Sequence, residues 1–283
     1  MEYFYDKKVY DKAKVEEAYA RTGKGPISVR WIDINKGDDV NPNYRSRLVA
    51  RDIRKKGEDS MFAPTPPLES LRAVLSLAAT PTLWMKSAPS WTGPNRMQIS
   101  AIDISRAFFN AEIHSDQPVY VHLPPEDEDF GKGLCGRLNV HMYGTRPAAA
   151  GWHEEYSDTM ESMGFHRGQS TACVFYHEGR ELLSTVHGDD FTTVGSKPSL
   201  DWFRAELEKR YELKEAARLG ASPEDDKETR ILNRMVRWTD DGIEYEADPR
   251  QGEKLLHELG LEGCRPVATP GVKQTMEQIN SDR

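Results

Sequence analysis

The sequence predicts an α+β domain in which antiparallel strands and amphipathic helices share a core, and three patterns support this reading. Residues 182–194 place two β-branched, apolar runs on either side of Gly188-Asp189-Asp190, which is a hairpin and therefore an antiparallel pair. Residues 97–104 form a second apolar run of strand length, with Asp103 near its end. Three longer segments, 65–79, 148–163 and 198–214, instead repeat apolar residues at helical spacing.

Composition narrows the class. The hydrophobic and charged fractions, 37% and 30%, are those of a globular chain that can bury a large core. No apolar run approaches the roughly 20 residues of a membrane-spanning helix, and residues 1–8 lack the apolar centre and small-residue cleavage site of a secretory signal, so no membrane partner is expected. Cys135, Cys173 and Cys264 are odd in number and far apart, which fits free thiols in a reducing compartment and not a disulfide frame or paired-cysteine zinc site. A net charge of −8 means that any nucleic-acid contact must come from a local basic surface.

In chain order, residues 11–21 read as a helix with Val15, Ala18 and Tyr19 on one side, and residues 1–26 as a peripheral lead-in. Gly23-Lys-Gly-Pro lacks the Lys-Ser/Thr of a phosphate loop and reads as a turn. A strand follows at 27–34. The next block, 44–56, carries six basic residues against Asp52; on a strand, Arg45, Arg47 and Arg51 share a face. Such a face suits a triphosphate or a template backbone, and a charge-defended edge strand shows the same pattern. The helix at 65–79 turns Leu68, Leu71, Leu75 and Ala78 to a core, and the Pro-, Ser- and Trp-rich stretch 81–96 reads as a long surface loop. The acidic run Glu126-Asp-Glu-Asp reads as a solvated loop.

The helix at 148–163 presents Trp152, Tyr156, Met160 and Met163, with Gly164 as its stop. The helix at 198–214 uses Leu200, Phe203, Leu207 and Tyr211, leaving Arg204, Lys209 and Arg210 on a solvated face. An acidic loop at 223–228 leads to a hairpin, 231–238 with 243–246, turned at Asp241-Gly242, and a helix from Asp248-Pro249 runs through Leu255, Leu256 and Leu259 to Gly260. The polar tail 271–283 is expected to be disordered.

The chemistry rests on three carboxylates. Adjacent ionised acids repel one another, so Asp189 and Asp190 are most useful where a divalent cation neutralises them, and hard oxygen ligands suit magnesium. Gly-Asp-Asp is also a good solvent-facing turn for purely conformational reasons. Asp103, on a second strand, shifts the balance toward a metal site.

Four blocks then recur in order: Asp103-Ile-Ser-Arg-Ala-Phe-Phe-Asn-Ala-Glu-Ile, Val119-Tyr-Val-His-Leu-Pro-Pro, Tyr143-Gly-Thr-Arg-Pro-Ala-Ala-Ala-Gly-Trp and His187-Gly-Asp-Asp. In residues and spacing they resemble the reverse transcriptase of copia-type retrotransposons, over about residues 27–271. The resemblance implies a right-hand polymerase, with fingers and antiparallel palm in 27–195 and thumb-side helices with a primer-grip-like hairpin in 196–270. It implies an RNA-directed DNA polymerase of a retroelement polyprotein that extends a primer on an RNA or DNA template with deoxynucleoside triphosphates. Two magnesium ions, with manganese as a substitute, would be bridged by Asp103 and Asp189 and assisted by Asp190. Arg45, Arg47, Arg51, Ile104 and Phe108 would face the nucleotide, with the Phe108 ring under its sugar. His187, Gly188, Leu232 and Asn233 would lie near the primer. An intracellular place follows, particle-associated in the cytoplasm or nuclear; no particular oligomeric state does.

Two departures stand out: Pro147 occupies the place of a family Gln beside the nucleotide, and His187-Gly188 replaces the usual Tyr and small apolar residue. Proline offers neither a side-chain donor nor a backbone N–H. Two alternatives therefore accompany the polymerase: a degenerate or domesticated remnant that binds nucleic acid without synthesis, and a palm-type nucleotidyl cyclase. The basic strand and the grip-like hairpin speak against the cyclase.

Overall fold

A computed structural model describes residues 1–38, 40–54, 62–87, 89–247 and 249–265. In chain order these form α1 (Glu2–Asp6), β1 (Tyr10–Lys14), α2 (Val15–Thr22), β2 (Val29–Asn35), β3 (Tyr44–Ala50), α3 (Leu68–Ala79), β4 (Met97–Ile104), β5 (Tyr120–His122), β6 (Leu134–Leu138) and α4 (Ala148–Ser162). There follow β7 (His166–Arg167), β8 (Val174–His177), β9 (Leu182–His187), β10 (Asp190–Ser196), α5 (Lys197–Glu208), β11 (Leu213–Gly220), β12 (Glu228–Ile231), β13 (Arg234–Thr239), β14 (Gly242–Ala247) and α6 (Pro249–Glu258). The expected α+β class and antiparallel pairing are both present. The expected tail, 271–283, lies outside the described residues.

The centre is a six-stranded sheet in the order β11-β4-β10-β9-β8-β7, antiparallel throughout. Side chains alternate across its faces, so β4 divides its apolar residues between two cores. Ile102 and Ile104 join Trp152, Tyr156 and Met160 of α4 and Leu200, Phe203 and Leu207 of α5. Met97, Ile99 and Ala101 point the other way, to α3 and to Val236 and Trp238 of the three-stranded sheet β12-β13-β14. Asp103 has the parity of the second set, which places it on the face that carries this smaller sheet.

Several expectations need correction. The helix expected over 198–214 ends at Glu208, and Leu213–Gly220 is a strand, β11, paired with β4 across a bulge between Glu215 and Ala217. Its residues favour helix, but pairing with a buried strand overrides that preference. Strand β3 ends at Ala50, so Arg51 lies beyond the strand face it was expected to share with Arg45 and Arg47. The grip-like segment is a three-stranded meander, because Leu232 and Asn233 form a two-residue turn between β12 and β13, both at positive φ (+49° and +60°). Leu68 is 39% exposed, and Val74 takes its place in the α3 core.

The lead-in is not peripheral. Residues 10–14, expected to be largely helical, are strand β1 paired with β6, and Phe4, Val9 and Tyr10 join a third core with Leu48, Ala50 and Val121. The acidic loop is not wholly solvated either: buried Asp127 accepts from Tyr10 Oη (2.7 Å) and lies 3.0 Å from Lys12 Nζ. Within the stretch expected to be a surface loop, Met85 is buried and Trp91 packs against Trp238, at 4.7 Å between centroids. Arg96, also buried, forms a two-nitrogen pair with Asp225, whose carboxylate Gln98 Nε2 also contacts at 2.7 Å. This pair clamps the start of β4 to the loop ahead of β12.

Candidate active site

The end of β4 and the β9–β10 turn bring the three carboxylates together. Asp190 opens β10 directly opposite Asp103, and opposed residues of an antiparallel pair project to the same side. Asp189 comes from the two-residue turn and is locked to β4 by its carbonyl, which accepts from Ile104 N at 2.9 Å. Gly188 supplies the positive φ (+65°) that the turn requires, and its carbonyl accepts from the buried Trp152 indole at 2.8 Å. Helix α4, expected to be core support, therefore also anchors the turn. One oxygen from each of Asp103, Asp189 and Asp190 falls within 4.8 Å of the others.

Electrostatics show the strain of this crowding. Burial, then the charges of Asp189 and Asp103, push the Asp190 carboxyl up to about 6. Asp103 is raised by burial and by Asp189, while Lys214, Arg45 and Arg47 pull it the other way. Without a cation the cluster thus tends to keep a proton; a divalent ion on the same oxygens removes that tendency, so the donor set fits a hard metal.

Asp103 and Asp189 open onto a cleft of about 440 Å³ lined also by Arg45, Arg47, Ile104, Arg106, Phe109, Tyr143, Glu212 and Lys214. The Arg47 guanidinium lies 5.6 Å from the Tyr143 ring centre, and that ring packs on Phe108 at 4.6 Å and on Phe109 at 5.7 Å. Of the residues assigned to the nucleotide by resemblance, Arg45, Arg47 and Ile104 line this cleft. Arg51 does not, and Phe108 sits at the edge of the main core while its neighbour Phe109 lines the cleft. His187 ends β9 opposite Asp190, its Nδ1 buried without a hydrogen-bond partner. Leu232 packs into the core shared with the smaller sheet, and neither it nor Asn233 lines the cleft. Pro147 caps α4 and lines a separate cavity of about 770 Å³ with His141 and Arg146.

Sequence reading missed Tyr143, Lys214, Arg106 and Phe109 as parts of the site. Lys214 lies opposite Asp103 in the register, a relation visible only once β11 is known to be a strand.

A sequence profile described as reverse transcriptase (RNA-dependent DNA polymerase) matches residues 18–222, more than half of the chain. The chain belongs to the reverse transcriptase family. It is also similar to the retrovirus-related Pol polyprotein from transposon TNT 1-94 of Nicotiana tabacum, with 25% identity over 259 residues. That match covers 88% of this chain and 18% of the polyprotein, so the chain spans less than a fifth of that relative. The copia-type resemblance of the four sequence blocks is thereby borne out. Among solved structures, a foamy viral protease-reverse transcriptase in complex with double-stranded DNA aligns at TM-score 0.43 and 12% identity, over 98% of this chain and 37% of that one. Telomerase from Candida albicans, in complex with a TWJ fragment of telomeric RNA, aligns at 0.45 and 9%, over 99% and 51%. Among the described residues of this reverse transcriptase domain, no helix is long and apolar enough to cross a membrane.

Proposed function

We propose that this domain synthesises DNA for a retrotransposon polyprotein, adding deoxynucleotides to a primer on an RNA or DNA template. The observation that carries the proposal is the convergence of Asp103, Asp189 and Asp190 at one edge of a cleft whose other walls hold Arg45, Arg47 and Lys214. Acids on one side and cations on the other suit a substrate that brings a polyphosphate to a metal site.

Asp103, Asp189 and Asp190 would hold the magnesium, with manganese as a substitute; when bound, the metal would supply activation of the primer hydroxyl and stabilisation of the departing oxygen. Arg45 and Arg47 neutralise phosphate charge from the β2–β3 ribbon. Ile104 forms apolar floor, and Phe108 or its neighbour Phe109 limits the space beside the sugar. The primer end lies toward His187, Gly188 and the Leu232–Asn233 turn, on the sheet face that Asp103 shares with β12–β14. In this reading residues 27–195 make fingers and palm, β11 adds an edge strand to the palm sheet, and the rest of 196–270 makes the thumb side.

Primer extension on a homopolymer RNA, with magnesium, with manganese and with chelator, tests the proposal. Metal-dependent deoxynucleotide incorporation is expected. Primer–template binding without incorporation under any metal would leave only the binding remnant.

A further inference from the structure

Arg106 stands in the cleft without a role in the account so far. It follows β4 in the left-handed region, at φ +53° and ψ +44°, a conformation that costs a non-glycine residue on the order of 1 kcal/mol and persists only where its surroundings hold it. Tyr3, through its ring and its hydroxyl, and Glu212 hold the side chain. The guanidinium carbon lies 4.1 Å from the centre of the half-buried Tyr3 ring, and Nη1 donates to Glu212 Oε2 at 3.2 Å. Tyr3 is itself packed on Phe109 at 5.6 Å between centroids and lines the same cleft as Asp103 and Asp189.

This arrangement leaves donors available. A guanidinium stacked on a ring uses its face and keeps its in-plane N–H groups free to bond. Glu212 engages one nitrogen, through a largely exposed pair of the kind that contributes little and exchanges readily. The planar fork matches phosphate oxygens, and Arg106 lies only three residues beyond Asp103.

We propose that Arg106 takes the terminal phosphates of the incoming nucleoside triphosphate, exchanging Glu212 for them, and that Tyr3 is a positioning residue that keeps its guanidinium over the cleft. The proposal rests on the nucleotide reading of this cleft. In the reaction the primer oxygen bonds to the innermost phosphorus and loses its proton to solvent, while the bond to the bridging oxygen breaks and its electron pair leaves with pyrophosphate. Arg106 is placed for the charge that gathers on that leaving group.

Equilibrium binding separates this role from general support of the site. The full chain is mixed with magnesium and a primer–template whose primer lacks its 3′-hydroxyl, so nothing is incorporated, and is titrated with the matching deoxynucleoside triphosphate or monophosphate. Arg106→Ala should weaken triphosphate binding about tenfold and leave monophosphate binding unchanged, with Arg106→Lys in between. Tyr3→Ala should weaken only the triphosphate, and Tyr3→Phe, which keeps the ring but loses the hydroxyl that meets the guanidinium, should weaken it less. Equal losses for both ligands, or no loss for either, in Arg106→Ala would overturn the assignment of Arg106 alone. A wild-type protein that binds neither ligand would overturn the nucleotide reading and this proposal with it.

Discussion

The palm sheet and the β2–β3 ribbon bring opposite charges to one cleft by opposite means. In the palm, three carboxylates are crowded at the end of strands that are packed on both faces, and Asp190 is driven to about 6 as a result. On the ribbon, Arg45 and Arg47 are exposed residues of a two-stranded sheet that reaches the core only through its base, where Leu48 and Ala50 are buried. The acids thus oppose folding and depend on a large core to stay together, whereas the arginines cost the fold little. Removing an acid should abolish chemistry and relieve the fold; removing an arginine should weaken binding and leave the fold unchanged.

The largest effect expected is at the acids. Asp103→Asn or Asp189→Asn should lower incorporation by roughly a thousandfold, since several kilocalories of charge stabilisation are lost with the metal site. Metal-free stability should hold or rise. The pH dependence of melting in chelator sharpens this. Asp190 binds its proton more tightly in the folded chain than at its ordinary value of 3.8, so its associated stability is full below 3.8 and is lost as pH rises through about 6. Wild type should therefore lose stability across that window, and Asp190→Asn should remove that step. An unchanged profile in the variant would show that the crowding does not burden the fold.

The Arg96–Asp225 clamp should behave in a third way. Breaking a buried pair from one side costs about 3–5 kcal/mol, so Arg96→Met should lower the denaturation midpoint strongly, and replacing both partners by apolar residues should restore part of the loss. Burial alone would raise the Asp225 carboxyl, but Arg96, the Ser222 amide and Gln98 outweigh it and hold it below the usual range. Its contribution is present above the ordinary carboxylate value and is lost as pH falls through the lowered one, so the variant should differ least from wild type in strong acid. A single variant with wild-type stability at neutral pH would remove the clamp from this account.

What was legible in the sequence follows the same division. The Asp189–Asp190 hairpin could be read because turn chemistry and the repulsion of adjacent acids are local, and Asp103 because it ends a plainly apolar strand. Strand β11 could not: Leu213-Lys-Glu-Ala-Ala-Arg-Leu is built of helix formers, and only pairing with β4 makes it extended. Asp225 looked like one more solvated acid, since its partner Arg96 lies 129 residues earlier. The Leu232–Asn233 turn carries no glycine to announce two positive φ angles, so the strand expected over 231–238 runs through it and β12 goes unread. Lys214 depends on the β11 pairing and was missed with it, and Tyr3 reaches the cleft only through the packing of the N-terminal segment on Phe109.

Phe108 and Phe109 offer a smaller effect that bears on the cleft itself. If a ring limits the space beneath the sugar, its truncation should admit ribonucleotides and change the ribo-to-deoxy ratio by about tenfold, or about 1.4 kcal/mol. The family resemblance assigns that ring to Phe108, whereas the cleft lining contains Phe109. Incorporation of both nucleotide types by Phe108→Ala and Phe109→Ala, with melting as control, decides between them. An early-melting variant with both activities lowered in proportion marks a core ring, for which truncation costs roughly 3–5 kcal/mol.

The smallest expected change is at the ribbon, and it tests the comparison most directly. Each phosphate neutralised by a cation adds about 0.7 to 0.9 to the slope of log affinity against log salt, so Arg45→Ala with Arg47→Ala should flatten that slope by up to about 1.8 for template or nucleotide binding. Because both side chains are exposed, the unfolding free energy should stay within about 0.5 kcal/mol of wild type. Arg51 supplies the control, since it lies past the end of β3 and outside the cleft lining. Arg51→Ala should leave slope and stability alike unchanged. If it flattens the slope as much as the other two, the bound phosphates extend beyond the cleft. If the double variant changes nothing, the ribbon is only a charged edge, and the division between a costly acidic palm and an inexpensive basic ribbon loses its second half.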